Sequence, residues 1–367
     1  MSGLYVHVPF CAERCPYCDF ASVTDLSLVD RWLEAVGHEA KASPDTGVFD
    51  TLYLGGGTPG ILSEQATEKL FSLLKSGFSF SPDAEVTVEM NPECVTEDTV
   101  ALLCSFGVNR LSIGIQSLND EELRFLGRRH SARQALQAVV SAQDAGCTNI
   151  SADLIFGFPG QTVSSWRQTL SQVVQAGVSH ISAYQLTVKE GTPFARMRAE
   201  GRLAVLSEEE EVEFFTATCD FFREAGWVHY EVSNYARTPE SVCRHNLAYW
   251  RHLPYLGLGP SAVSFDGRRR WRNAPDVSEY CHLLEEEHSA VVFEEWLDDD
   301  QLLTEKVALG LRTAEGIAGD VVPLSGEKQR MLEHLQREGL IRVEGGRIAA
   351  TEKGFLLADG LPLVLIG

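Results

Sequence analysis

The stretch FCAERCPYCDF, residues 10–20, sets three cysteines in a C-x-x-x-C-x-x-C pattern, directly after an apolar run at residues 4–8 that predicts a strand. A tight loop of this size brings the thiolates of Cys11, Cys15 and Cys18 to one point, and thiolates are the usual ligands of iron–sulfur clusters. Three thiolates leave one iron of a four-iron cluster open, and an open position is where a metal site binds substrate or cofactor. The spacing therefore predicts a reactive cluster. A zinc knuckle or three unconnected buried thiols are the alternatives.

The same cysteine spacing, with an aromatic residue (Tyr17) before the last cysteine, resembles the signature of the radical S-adenosylmethionine superfamily. The resemblance implies a 4Fe-4S cluster held by Cys11, Cys15 and Cys18, whose open iron chelates the amino and carboxylate groups of S-adenosylmethionine. In that superfamily an electron from the cluster splits the sulfonium to give a 5′-deoxyadenosyl radical. The cofactor supplies this chemistry, and the protein supplies orientation and exclusion of water.

Length and charge indicate a soluble intracellular protein of 367 residues, long enough for two domains. The net charge of −21 repels phosphate backbones, so we expect no nucleic-acid partner. The start, MSGLYVHVPF, does not read as a signal peptide, and no apolar run reaches the ~18 residues of a membrane span. We therefore expect a cytoplasmic protein that does not span a membrane. Six further cysteines show no ligand spacing and are interpreted as small core residues: Cys94, Cys104, Cys147, Cys219, Cys243 and Cys281.

Residues 1–235 alternate between β-rich and amphipathic helical runs. Strands are predicted at residues 4–8, 51–54, 85–89, 110–115, 150–155 and 180–186. Ser63 and Thr96 are helix-start signals, and Gly146 and Gly177 follow helix ends. Repeated βα units produce a parallel sheet, and six units are too few to close an eight-stranded barrel. The predicted fold class is α/β, an open three-quarter (β/α)6 TIM-like barrel with its active site at the carboxyl ends of the strands.

Residues 236–367 are predicted to form a smaller α+β C-terminal domain. A last short strand is expected at residues 230–234, followed by an irregular stretch rich in aromatics and arginine to about Asn273. From Asp298 two helical runs precede LIRVEGGRIAAT, in which Gly345–Gly346 is a hairpin signal. Helices followed by a hairpin indicate a winged-helix-like module. Such modules often bind DNA, but the acidic balance favours a structural or docking role.

The run GGGTPG, residues 55–60, follows the second predicted strand. Consecutive glycines let the backbone approach a ligand and expose N–H groups to an anion, although a plain tight turn is the alternative. One βα unit after the cysteine loop, the run resembles the glycine-rich motif of the same superfamily. That resemblance implies hydrogen bonds between this segment and the methionine amino group of S-adenosylmethionine.

Polar residues recur at the carboxyl ends of the next strands. Glu89 ends VTVEMNPE, Gln116 ends LSIGIQ, and Asp153 lies in SADLIFGFPGQT, while Arg128 begins the segment after Gln116. Each one alone could be a solvated polar residue. Because three successive strands carry such a side chain, we predict contacts to a ribose or an adenine.

Several segments resemble the subgroup that contains the oxygen-independent coproporphyrinogen oxidases and the HemW-type heme chaperones: YVHVPFC, GGGTP, VEMNPE, RLSIGIQS, DLIFGFPGQT and YLGLGPSA. The resemblance covers nearly the whole chain. Carried over by position, the residues that contact S-adenosylmethionine would be Tyr5, Gly56, Gly57, Thr58, Glu89, Gln116, Arg128 and Asp153.

Two features favour the chaperones over the decarboxylating oxidases. The oxidases carry a fourth cysteine two positions after the third, together with an amino-terminal extension; here that position is Phe20, and the first strand begins at Leu4. The chaperones carry H-N-x-x-Y-W, which is HNLAYW at residues 245–250 here. We therefore predict a heme chaperone that delivers heme to acceptor hemoproteins, with respiratory-chain proteins as one candidate class. A radical enzyme acting on a porphyrinogen is the alternative.

The predicted heme ligand is His245. Imidazole is the commonest protein ligand of heme iron, and Tyr249 lies four residues on, on the same helix face. Trp250, Tyr255 and Leu256 could cover a macrocycle. A hydrogen-bonded histidine that packs this segment against the barrel is the alternative, and Cys243 and His252 are rival ligands.

Overall fold

The computed structural model describes residues 2–44, 47–322 and 326–366. Its first six strands are parallel neighbours in chain order. They are β1 Gly3–Val8, β2 Val48–Gly56, β3 Ser79–Met90, β4 Arg110–Gln116, β5 Ile150–Phe156 and β6 His180–Gln185. All six predicted strands are confirmed. β3 begins at Ser79, earlier than predicted, because the strand continues through a register shift against β2. That shift contains Pro82 and Asp83, which disfavour a strand locally.

Eight helices connect these strands and follow the last of them. They are α1 Val29–Ala42, α2 Glu64–Gly77, α3 Glu97–Ser105, α4 Asp120–Phe125, α5 Ala132–Asp144, α6 Val163–Gln175, α7 Pro193–Ala199 and α8 Glu208–Glu224. The predicted helix starts are confirmed, since Ser63 and Thr96 accept hydrogen bonds from amides of the first helical turn. Gly146 and Gly177 follow helices with φ of +90° and +85°, a backbone region that favours glycine. Single 3-10 turns lie at Leu26–Leu28, Pro59–Ile61, Pro92–Cys94 and Pro239–Ser241.

Beyond α8 the chain adds two short strands to one edge of the sheet, β7 Val228–Glu231 and β8 Asn234–Ala236. β8 pairs antiparallel with β6, and β7 pairs antiparallel with β8. The prediction of a single strand at residues 230–234 is therefore wrong, because two antiparallel strands lie there. The chain reverses at residues 232–233, where no glycine or proline marks a turn.

The other edge of the sheet is extended by residues that follow in sequence. They form α9 Arg244–Trp250, β9 Tyr255–Leu258, β10 Val263–Phe265, β11 Arg269–Asn273, α10 Val277–Glu286 and β12 Val291–Trp296. β9 pairs in parallel with β1, and β10 to β12 continue antiparallel. The sheet thus runs across the predicted boundary between residues 235 and 236, and the stretch predicted to be irregular is largely β-structure. Strands of three to five residues are too short to show an alternating pattern.

The last part of the chain is a separate winged-helix-like module, as predicted. It consists of α11 Asp299–Gly310, β13 Ile317–Ala318, α12 Gly326–Arg337, β14 Ile341–Glu344, β15 Arg347–Ala350, α13 Glu352–Phe355 and α14 Gly360–Ile366. Its three strands form their own sheet in the order β13-β15-β14. The module has its own core, against which Phe215 of α8 and Val232 pack.

The twelve-stranded sheet is an open barrel, since its edges β12 and β7 do not pair with each other in the described ranges. One face packs against the helices, with buried residues such as Val6, Leu54 and Trp166 in a single core. The opposite face carries polar side chains, among them Tyr5, Tyr53 and Arg110, so the barrel interior is suited to a polar ligand. None of the helices in the described ranges has the length and hydropathy of a membrane span.

Candidate cluster and S-adenosylmethionine site

The three cysteines of the loop after β1 line one cavity of about 400 Å³. Cys11, Cys15 and Cys18 are half-buried and not joined in disulfides. The Thr58 hydroxyl lies 3.7 Å from the Cys11 sulfur, and the Arg128 guanidinium donates to the Cys15 sulfur at 3.4 Å. Hydrogen bonds to sulfur are among the features that tune iron–sulfur clusters, so the donor set fits such a group. Burial raises the pKa of the Cys18 thiol, which keeps it protonated until a metal takes the proton's place.

The glycine run lies against the cysteine loop and fixes its position. The Gly57 and Thr58 amides donate to the carbonyls of Val8 and Phe10 at 2.8 and 2.7 Å. A Cβ at Gly57 would lie 2.6 Å from the Phe10 carbonyl oxygen, so only glycine allows this approach. The Gly56 amide donates to Glu89 at 3.1 Å. The prediction that this run offers N–H groups to an anion is therefore wrong for Gly56, Gly57 and Thr58, because their amides are used within the protein.

Glu89 lies at the centre of this arrangement, at the carboxyl end of β3. Besides the Gly56 amide, its carboxylate accepts a 2.7 Å hydrogen bond from the Tyr53 hydroxyl. Burial raises the pKa of Glu89 to about 7, and the hydrogen bonds oppose that shift. A buried carboxylate that ionises near neutral pH is a suitable hydrogen-bond acceptor for an amino group.

The other predicted contacts come from β4, β5 and the segment after α4. Gln116, at the end of β4, has a φ of +64°, a strained value that turns the chain at the cavity. Asp153 lies mid-strand and accepts hydrogen bonds from Ser112 at 3.0 and 2.9 Å, and burial raises its pKa. Arg128 also donates to Asn91 at 2.6 Å. These side chains line the same cavity as the three cysteines: Glu89, Gln116, Arg128 and Asp153.

Tyr5 lies outside this cavity, in a neighbouring cleft of about 410 Å³. Its hydroxyl lies 3.0 Å from His7 Nδ1. Gly56, Glu89 and Phe20 line both spaces, and Phe20 is 57% exposed. The cleft therefore opens directly beside the cysteine loop.

Helix α9, which carries the HNLAYW segment, lies against the interior face of β1 and β2. His245 is 2% exposed and stacks on the Tyr53 ring at 5.0 Å. Its Nδ1 lies 2.7 Å from the Thr51 hydroxyl and its Nε2 lies 2.9 Å from the Tyr249 hydroxyl. Burial lowers the pKa of His245 to about 3, so the imidazole is neutral. This arrangement corresponds to the alternative interpretation, a hydrogen-bonded packing histidine.

Sequence reasoning missed several cavity residues. Asn91 joins Arg128 to Thr58, to whose hydroxyl it donates at 3.1 Å. Asn246 lines the cavity from α9, next to His245. Arg110, at the start of β4, is 1% exposed. The segments VEMNPE, HNLAYW and RLSIGIQS contain all three, but only the fold shows that they face the same space.

An open (β/α)6 barrel with a three-cysteine loop after its first strand is the architecture of a radical S-adenosylmethionine protein, and the Radical SAM superfamily model matches residues 5–173. The model of the HemN C-terminal domain matches residues 297–357. The fold is similar to that of coproporphyrinogen III oxidase (HemN) from Escherichia coli, with a TM-score of 0.83 and 25% identity over 99% of this chain and 89% of that one.

Full-length relatives define the family more narrowly. The chain is 36% identical to the heme chaperone HemW of Mycobacterium tuberculosis over 100% of this chain and 95% of the relative. It is 32% identical to the heme chaperone HemW of Bacillus subtilis over 98% and 97% of the two chains. The chain belongs to the HemW family.

Proposed function

We propose that this chain is a cytoplasmic heme chaperone that binds heme and delivers it to acceptor hemoproteins while holding a 4Fe-4S cluster and S-adenosylmethionine. The observation that carries the proposal is the position of the HNLAYW helix. Its Tyr249 lines the cleft next to the cysteine loop, where Phe20 takes the position of the oxidases' fourth cysteine. The names of the relatives, heme chaperone HemW, support the same function.

In this proposal Cys11, Cys15 and Cys18 hold the cluster. When bound, the cluster supplies an electron and an open iron to S-adenosylmethionine. The residues that would contact S-adenosylmethionine are Tyr5, Gly56, Gly57, Thr58, Glu89, Gln116, Arg128 and Asp153. The internally bonded amides of the glycine run leave its carbonyl oxygens as the groups able to accept from the methionine amino group.

We propose the cleft beside Phe20 as the heme site, with His245, which lies behind the cleft-lining Tyr249, as the residue that would hold the heme iron. The cleft has a volume of about 410 Å³, and the rings of Phe20, Tyr249 and Tyr255 in its walls offer flat surface to a porphyrin. Because Tyr249 occupies the Nε2 side of the imidazole, ligation by His245 requires the tyrosine hydroxyl to move away. The neutral state of the imidazole favours ligation once that happens.

The two rival ligands, Cys243 and His252, also contact other side chains. The Cys243 thiol is fully buried and lies 3.7 Å from a Glu85 oxygen. His252 Nε2 lies 2.9 Å from a Glu305 oxygen, and its ring stacks on Phe265. His252 is the nearer of the two to solvent, with 11% of its side chain exposed.

A heme titration distinguishes the ligands. The variants are His245→Ala, Tyr249→Phe and His252→Ala, compared with the wild-type chain by the Soret band under anaerobic conditions. We expect loss of affinity and a changed spectrum in His245→Ala, an unchanged spectrum in His252→Ala, and equal or tighter binding in Tyr249→Phe, which lacks the competing hydrogen bond. Wild-type affinity and spectrum in His245→Ala would remove His245 from the heme site.

The second candidate is a radical enzyme acting on a porphyrinogen. The fold similarity to coproporphyrinogen III oxidase over 99% of this chain favours it. Phe20 in place of a fourth cysteine argues against it. We expect that anaerobic incubation with reductant, S-adenosylmethionine and coproporphyrinogen III yields no protoporphyrinogen IX. Measured turnover would establish the enzyme instead.

A further inference from the structure

Three metal-ligating side chains meet where the barrel touches the C-terminal module. Cys219 comes from α8, His229 from β7 and Glu352 from α13. One potential ligand atom of each lies within 4.8 Å of the other two. The Cys219 sulfur is 3.9 Å from His229 Nδ1, and that nitrogen is 4.0 Å from a Glu352 oxygen. No spacing in the sequence indicates this group, and from sequence alone Cys219 is a small core residue.

The surroundings hold the imidazole with Nδ1 toward the other two groups. Its ring stacks on Tyr235 at 4.2 Å and contacts the Phe355 ring edge to face at 5.1 Å. Among the described residues its buried Nε2 has no hydrogen-bond partner. Arg223 holds one oxygen of Glu352 at 3.1 Å and leaves the other facing His229. Carboxylates that bind metals are usually themselves hydrogen-bonded, as Glu352 is by Arg223.

The separations suit a tetrahedral transition metal. Zinc bonds of ~2.0–2.3 Å to nitrogen, oxygen and sulfur place neighbouring ligands about 3.4–3.6 Å apart. The distances from His229 Nδ1 to the Cys219 sulfur and to the Glu352 oxygen, 3.9 and 4.0 Å, would shorten to that range through small side-chain rotations. A thiolate and an imidazole select zinc-like cations over calcium or magnesium, which prefer oxygen ligands. Burial raises the pKa of the Cys219 thiol to about 12, so metal binding would release its proton.

We propose that Cys219, His229 and Glu352 bind one Zn²⁺ ion, with a water molecule as the fourth ligand, and thereby fasten the C-terminal module to the barrel. Cys219 and His229 lie ten residues apart on the barrel, and Glu352 begins the short helix that packs Phe355 against His229. A shared ion would add a metal link between two units that already meet through backbone hydrogen bonds, such as that from the Val232 amide to the Arg312 carbonyl, and through the Arg223–Glu352 ion pair.

The test is equilibrium dialysis of Zn²⁺ against the full chain with its iron–sulfur cluster already assembled, so that the loop cysteines are occupied. The wild type should bind one Zn²⁺ per chain, and Cys219→Ser should weaken binding by about tenfold or more. Cys281→Ser, another buried cysteine, is the matched control and should bind as the wild type does. Glu352→Gln, on a side chain that is 40% exposed, should also weaken binding and keeps the test valid if Cys219→Ser does not fold.

Substitution of Co²⁺ for Zn²⁺ tests by spectroscopy whether the Cys219 thiolate binds the metal. Thiolate-to-cobalt charge transfer should appear in the near ultraviolet as a difference spectrum in the wild type and in Cys281→Ser, and should be absent in Cys219→Ser. Equal Zn²⁺ affinity in the wild type, Cys219→Ser and Glu352→Gln, or no Zn²⁺ bound by the wild type, would overturn the proposal.

Discussion

The cysteine loop and the HNLAYW segment are both short motifs of fixed spacing, but the fold gives them opposite surroundings. The loop thiols are half-buried and face a cavity. His245, in contrast, is 2% exposed, with a hydroxyl within hydrogen-bonding distance of each ring nitrogen. A motif on a loop keeps its side chains available to a ligand, whereas a motif on a helix inside the barrel contributes first to packing.

The difference has energetic consequences. Removing the Cys15 thiol takes one partner from Arg128, but the guanidinium keeps its hydrogen bonds to Asn91 and the Gly114 carbonyl. The change should therefore affect ligand binding far more than folding. Removing His245 leaves the hydroxyls of Thr51 and Tyr249 without their partner in a buried site, which costs stability whether or not heme binds there. Mutations in the two motifs therefore separate ligand binding from folding.

The largest effect is expected at the loop. Cys15→Ala should reduce the iron content after anaerobic reconstitution from about four per chain to near zero, because two thiolates do not hold the cluster. Iron analysis and the visible absorption of the cluster measure this. Cys94→Ala, a half-buried cysteine elsewhere in the barrel, should retain the full cluster. A cluster that survives in the Cys11, Cys15 and Cys18 triple-alanine chain would contradict the ligand assignment.

The second effect concerns Glu89, whose carboxylate has a pKa of about 7 through burial. Below that pH Glu89 is protonated and neutral; above it, the carboxylate accepts a hydrogen bond from the methionine amino group. S-adenosylmethionine affinity should therefore rise about tenfold from pH 6 to pH 8 in the wild type. The change in the cluster spectrum on titration measures it. Glu89→Gln should bind weakly at both pH values.

Glu39 is the matched control for this pH dependence. Its pKa is also raised to about 7 by burial, but it bonds Tyr280 and Asn273 outside the cavity. The pKa of Glu39 is about 7 in the folded chain and near 4.5 in the unfolded chain. Protonation of Glu39 therefore stabilises the folded chain below pH 4.5, and this contribution is lost as the pH rises through 7. Glu39→Gln should therefore flatten the pH dependence of unfolding and leave that of S-adenosylmethionine binding intact. An unchanged binding profile in Glu89→Gln would contradict the role of Glu89.

The third effect is expected in the barrel interior. His245→Ala should lower the free energy of unfolding by about 1–3 kcal/mol, because two buried hydroxyls lose a partner. Denaturant unfolding of the cluster-depleted chain measures this without contributions from ligands. Tyr249→Phe, which removes only one of the two contacts, should cost less, about 1 kcal/mol. A stability loss in Cys15→Ala as large as that in His245→Ala would remove the distinction between the motifs.

The smallest effect is expected at Phe20. Its ring is 57% exposed, so Phe20→Ser should change the free energy of unfolding by about 0.5 kcal/mol or less. Heme affinity should nevertheless fall several-fold, since the ring is a wall of the proposed cleft. Unaltered heme affinity in this variant would place the porphyrin elsewhere.

The sequence by itself determined the features that depend on local spacing. The C-x-x-x-C-x-x-C loop, the six parallel strands and the helix starts at Ser63 and Thr96 follow from residues close together in the chain. Alternation, capping and covalent spacing act over a few residues, so they are visible without the fold.

Only the tertiary structure decided which distant residues meet. β9 pairs with β1 although about 250 residues separate them, and this pairing carries the sheet past the predicted domain boundary. The enclosure of His245 by Thr51 and Tyr249 and the meeting of Cys219 with Glu352 depend on the same long-range closure. Such contacts are selected by the packing of whole elements, which no local pattern of side chains records.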